Sequence, residues 1–170
     1  MALESYIKIK GTKQGDISKD ASKKDSIGQV AKADTTLQGM ITVVAFSSGI
    51  VLPRDLASGV VTGARNHQPV IFTKYFDKSS PQLWQALATN EMLEEVVCEF
   101  YRPDPGGAPQ AQKFFTMTWN EATLIEGKAY VPLITDPEHK HFQCMEDWSF
   151  TYKKVKWEHG PGSTSGEDTW

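Results

Sequence analysis

The sequence predicts a mainly β protein: a small β-barrel of two packed antiparallel sheets with one short α-helix on its flank. Three observations carry this reading. Apolar and polar residues alternate in stretch after stretch, the period-2 pattern of half-buried strands. Clusters of Gly, Pro, Asp and Ser separate those stretches. One segment alone, entered through Ser79-Ser80-Pro81, switches to a helical period. An open sandwich would leave strand edges with unpaired backbone groups, and closure removes them.

The elements follow in order. Ser5 to Gly11 places Ile7 and Ile9 on one face and Lys8 and Lys10 on the other, a half-buried first strand. Lys13 to Asp34 is polar, lacks an apolar stripe and reads as a long mobile connection. Leu37 to Val51 is rich in β-branched residues and apolar on both faces from Ile41 to Phe46. Leu52 to Asn66 carries Pro53, Gly59 and Gly63 and reads as a long loop with room for a weak ribbon at Gly59-Val60-Val61, and long loops are uncommon and often functional. His67 to Phe76 returns to strand. The helix then starts with Ser80 as N-cap and Pro81 behind it, where a missing N–H costs nothing. Leu83, Trp84, Leu87 and Ala88 form its packing stripe, and it ends near Asn90.

Leu93 to Arg102 and Lys113 to Ile125 form a hairpin about Asp104-Pro105-Gly106-Gly107. Phe115, Met117 and Trp119 share one face of its second strand. Gly127 to Leu133 reads as a further strand, and His141 to Cys144 as a resumption of β-structure after Asp136-Pro137-Glu138. In the closing segment Trp148, Phe150 and Tyr152 share one phase, while Val155 and Trp157 hold the other. A bulge near Lys153-Lys154 reconciles the two sets. Residues 1–159 read as one domain, and Gly160 to Trp170 as a flexible C-terminal tail.

Composition narrows the function. Hydrophobic residues are 39% and charged residues 23%, enough for a packed core. A formal charge of -3 argues against coating nucleic acid, which needs clustered positive charge. No apolar run approaches the roughly 20 residues that a spanning helix needs, so no membrane insertion is expected. Met1 to Tyr6 lacks a basic-then-apolar pattern, so no cleaved signal peptide is expected. Cys98 lies in a strand pattern and reads as a small buried apolar residue. No enzyme motif stands out, and no catalytic residue, metal site or cofactor is assigned. His139 and His141 would share a strand face, but no second cluster completes a zinc set, so a metal-dependent hydrolase is the weaker reading. Glu94-Glu95 and Glu146-Asp147 read as solvated strand ends. Lys153-Lys154-Val155-Lys156-Trp157 reads as the polar face of the last strand.

Taken together, Tyr6-Ile7-Lys8-Ile9, Phe46-Ser47-Ser48-Gly49, the run His67 to Leu83 and Trp148-Ser149-Phe150-Thr151-Tyr152 with Val155 to Glu158 resemble the Hcp family. These are the haemolysin-coregulated proteins of the bacterial type VI secretion system. Phe72 to Leu83 is the most specific part, and the similarity extends to about His159. The resemblance implies a non-enzymatic tube subunit. Six copies close into a homohexameric ring, and rings stack into a tube inside contractile sheath proteins. A VgrG-type spike protein sits at the tip, and small effector cargo can occupy the lumen. It also implies a protein made in the bacterial cytoplasm and secreted without a cleaved signal peptide.

A closed ring needs two different patches that meet around a rotation. The expected ring or stacking residues are Ile41 and Val43 on the apolar strand and Leu52, Arg54, Asp55 and Arg65 on the long loop. Leu83, Trp84 and Leu87 are the expected helix packing residues. The alternative is a monomeric secreted β-barrel that binds a small ligand.

Overall fold

The computed structural model describes residues 4–133, 135–139 and 143–170. The strands are β1 (Glu4–Gly11), β2 (Gly15–Asp16), β3 (Ile41–Ser47), β4 (Ile50–Val51), β5 (Asn66–His67), β6 (Val70–Tyr75), β7 (Met92–Pro103), β8 (Ala111–Tyr130), β9 (Met145–Thr151), β10 (Lys154–His159) and β11 (Thr164–Thr169). The helices are α1 (Lys24–Ile27), α2 (Thr35–Gln38) and α3 (Ser80–Ala88), with single 3-10 turns at Gly28–Val30 and Pro137–His139.

Strand order is β11-β10-β8-β7-β1-β3-β6-β9, and β9 pairs back onto β8. The two sheets expected from the sequence are thus joined into one antiparallel barrel, closed through β8, β7, β1, β3, β6 and β9. Closure works because β8 is long. Its first half pairs with β10 and its second half with β9, while β7 runs along its other edge. Trp119 and Met117 face inward before Glu121, and Ala122 and Leu124 face inward after it. Glu121 itself has φ 50°, so the chain changes phase there. The facing strand does the same across Tyr152-Lys153: Trp148, Phe150 and Tyr152 are buried on one side and Val155 on the other. The phase change read near Lys153-Lys154 is therefore real, and it is matched by one in the partner strand.

Lys113 to Ile125 and Gly127 to Leu133 are one strand rather than two, and β8 stops at Tyr130. The reason is the irregularity between Leu124 and Glu126, which absorbs the register change without ending the ladder. Gly127 lies under the Trp148 ring: a Cβ placed there would sit 2.6 Å from ring carbon Cζ3.

The Lys13 to Asp34 segment differs most from expectation. It wraps the outside of the barrel and buries Ile17, Ala21 and Ile27. No stripe announced this because the apolar residues are few and the chain is held by polar contacts. Ser22 Oγ donates to Met40 O at 2.5 Å, and the Lys32 N–H donates to Ser22 O at 3.2 Å. Glu91, only 3% exposed, accepts the Lys13 and Gln14 N–H groups at 2.7 and 2.9 Å.

The C-terminal segment also departs from its reading. Thr164–Thr169 is paired along the whole of β10 as β11, so it is not a free tail. Its polar composition hid it, because backbone pairing to an edge needs no apolar side chains. His141, part of the expected resumption of β-structure, lies outside the described residues.

Candidate assembly surfaces

The segment Phe72 to Leu83 builds the joint between barrel and helix. Lys74 points inward from β6 and is fully buried. Its Nζ lies 3.0 Å from both Asp77 Oδ1 and Glu146 Oε2, and 2.9 Å from Ser80 Oγ and Tyr75 O. Trp84 Nε1 donates to Glu146 Oε1 at 2.9 Å, and Trp148 Nε1 to Glu146 Oε2 at 3.2 Å. Burial by itself would push the Glu146 carboxyl up. The charge of Lys74 and the hydrogen bonds from Lys74, Trp84 and Ser80 outweigh that and hold it below its ordinary range.

This network corrects two sequence readings. Ser80 is the first helical residue and not the N-cap; its hydroxyl serves Lys74 and Glu146, and Ser79 takes the cap position without a side-chain cap bond. Glu146 is no solvated strand end but a buried anion, 1% exposed. An isolated Lys in a buried strand with an acid three residues on signals the Lys74–Asp77 pair, and no local pattern signals Glu146. Leu83 is fully buried, and Trp84 and Leu87 pack against the same core. Trp84 meets Trp148 edge to face at 4.7 Å.

The barrel interior is filled. Trp119, Trp148, Phe72 and Phe150 are each 0% exposed, and Phe150 meets both Phe72 and Trp119 edge to face. Ile41 and Val43 belong to this interior, at 0% and 7% exposure, so they offer no surface to another chain. The two-faced look of their strand arises from a register shift between Val43 and Ala45. It turns Phe46 inward onto Phe100 and Trp119 and leaves Val44 and Ala45 outside.

Outside the barrel, apolar surface collects in two places. On the flank, Val44, Ala45, Thr73, Tyr130, Pro132 and Met145, with His139, line a groove of about 400 Å³. Ile71, Val131 and Leu133 are exposed as well. The second place is the long loop, which is a β-ribbon arm. Ile50–Val51 pairs with Asn66–His67, and Arg54 bridges Val61. Asp55 closes the tip by accepting the Ala57 N–H at 3.1 Å and the Ser58 hydroxyl at 2.6 Å, and Gly59 supplies φ 70°. Leu56 at the tip is wholly exposed, and Ile50, Val51, Leu52, Val60 and Val61 are exposed along the arm.

Of the loop residues expected at an interface, Leu52 is therefore free. Asp55 is occupied by its own turn, and Arg54 Nη1 donates to Gly59 O at 3.3 Å. Arg65 is turned toward its own C-terminus: Nε donates to Asp168 Oδ2 at 2.5 Å and Nη2 to Thr169 O at 2.7 Å. Leu56 was missed because a lone apolar residue in a loop gives no period to read, and the run around Val44 did not tell which of its residues face outward. Among the described residues no group of three or more His, Cys, Asp or Glu side chains converges as a metal site, and no helix is long and apolar enough to cross a membrane.

Fold and surface together define a class: a closed, side-chain-filled antiparallel barrel with one docked helix, a projecting apolar arm and an apolar outer flank. The chain belongs to the Hcp family. The family model described as "Type VI secretion system effector, Hcp" matches residues 6–159. The chain is 38% identical over 170 residues to the major exported protein of Pseudomonas aeruginosa, covering 100% of this chain and 96% of the relative. A crystal structure of an Hcp protein superposes with a TM-score of 0.92 at 32% identity, covering 99% of this chain and 98% of that one. The secreted protein Hcp3 from Pseudomonas aeruginosa gives 0.82 at 32% identity, with 99% of each chain covered.

Proposed function

We propose that this chain is a structural subunit of the type VI secretion tube. Six copies close into a ring, rings stack, and the tube is expelled by contractile sheath proteins with a VgrG-type spike at its tip. The protein leaves the bacterial cytoplasm through that system, and the lumen has the capacity to carry small effectors. Family membership across residues 6–159 supports the tube reading. The observation that carries it is where the apolar surface lies. The barrel interior is full, while the arm and the flank expose large apolar residues. The flank offers area for the heterologous contact that closes a ring, and the arm reaches for the neighbouring ring in a stack.

The role is structural rather than catalytic. The buried charges Lys74, Asp77 and Glu146 are spent on holding α3 to the barrel. A barrel that carries a small ligand needs a hollow interior, and Trp119, Trp148, Phe72 and Phe150 occupy this one.

Native mass spectrometry with electron microscopy of the purified chain tests the proposal. Hexamers and annular particles are expected. Lone subunits at every concentration would overturn it.

A further inference from the structure

The family model ends at His159, and the chain then forms β11. Its pairing with β10 is complete, from Lys154↔Thr169 to His159↔Thr164, and the Trp170 N–H adds a bond to Lys153 O at 3.0 Å. The side chains at the end of β11 reach the root of the arm, and Trp170 also meets Tyr152 of the barrel edge to face.

Arg65 and His67 are two residues apart in an extended segment and share a face. Arg65 grips the Asp168 carboxylate and Thr169 O, as described above. His67 is 4% exposed; its Nε2 lies 2.8 Å from Asp168 Oδ2 and its Nδ1 2.9 Å from the Tyr152 hydroxyl. The Trp170 indole lies flat on the His67 ring, with centroids 5.1 Å apart and planes 2° from parallel. One carboxylate thus binds both root residues, and one indole covers the second.

The arm needs such support. Its ribbon is only two residues deep on each strand, plus the Arg54–Val61 bridge, and an isolated two-stranded ribbon is marginal in water. We infer that β11 and Trp170 form a latch that fixes the direction in which the arm projects. Residues 65 and 67 are the catch, and Asp168 and Trp170 are the bolt. An arm held in one direction loses less freedom when it docks on a second copy of this chain. That purpose rests on the assembly proposal; the latch itself does not.

The test is hydrogen exchange on the full-length chain in protomeric form, for Arg65→Ala, Asp168→Ala, Trp170→Ala and the Arg65→Ala/Asp168→Ala double variant. The arm amides of Asp55, Gly59 and Thr62, which bond across the ribbon, are the reporters. Each single variant is expected to speed their exchange by about tenfold, with β1 and β7 amides unchanged. The double variant is expected to fall short of the product of the two single effects, because both changes break one contact. Arm exchange equal to the parent's, or β1 and β7 loosened as much as the arm, overturns the latch, as does a double variant equal to the product. Ring stacking read by sedimentation on the same variants separates the two ideas. Reduced stacking supports the link to assembly, and parental stacking with a loosened arm overturns that link alone.

Discussion

Glu146 carries its charge at 1% exposure because Lys74, Ser80, Trp84 and Trp148 all bond to it. Removing one partner of a buried pair strands the other, so Glu146→Gln is expected to cost about 3 kcal/mol. For a chain of this size that lowers Tm by roughly 6–12 °C in a thermal melt. The pH dependence follows from the depressed carboxyl. Above its ordinary value near 4.5 the folded and unfolded forms are both ionised, and the stabilisation is complete. As pH falls below 4.5 the unfolded chain takes up the proton first, and the stabilisation is lost as pH passes down through the folded value. The Tm-versus-pH curve of Glu146→Gln should be flatter than the parent's in that acid window. At Gly127 the constraint is space: with Trp148 ring carbon 2.6 Å from an added Cβ, Gly127→Ala should destabilise by about 1–3 kcal/mol in denaturant unfolding.

Among the elements, α3 and the arm have opposite tasks. Helix α3 buries Leu83 and Ala86 and joins the barrel through the Lys74 network, so it belongs to the protomer's stability. Leu83→Asp places a charge in a fully buried site and is expected to unfold the protomer, read as loss of the cooperative melt. The arm buries almost nothing. Leu56→Asp at its exposed tip is expected to leave the unfolding free energy within about 0.5 kcal/mol of the parent's in denaturant unfolding while weakening ring stacking in sedimentation. If Leu56→Asp leaves stacking intact, the arm is not the stacking element.

For the whole molecule, closure pairs both sides of β8, β7, β1, β3, β6 and β9, and β11 covers the side of β10 away from β8 while keeping its own outer edge. The contacts proposed between copies use the arm and the flank. Each subunit carries a formal charge of -3, so a ring of six proposed copies carries 6 × -3 = -18. Like-charged rings repel at long range, and salt screens that repulsion. Stacking should therefore strengthen as ionic strength rises from low values, read as a shift toward longer assemblies. A fall in stacking over that range would mean that local ion pairs dominate the contact.

Strand identity was legible wherever one face met the core and the other met water, as in Ile7 and Ile9 of β1 or Met117 and Trp119 of β8, because burial on one face imposes the period. The single well-formed helix was legible through Pro81 and its stripe, and the family through Phe72 to Leu83. Only the tertiary structure decided the rest. It showed that Ile41 and Val43 face the core and not a neighbour, since a bulge shifts phase without changing composition. It also showed that Lys74 and Glu146 form a buried pair, because their 72-residue separation leaves no local pattern. The attachment of β11 and the commitment of Arg65 to Asp168 depend on backbone pairing and on contacts 103 residues apart. Periodicity records which face of a strand is wet; it does not record which distant strand lies beside it.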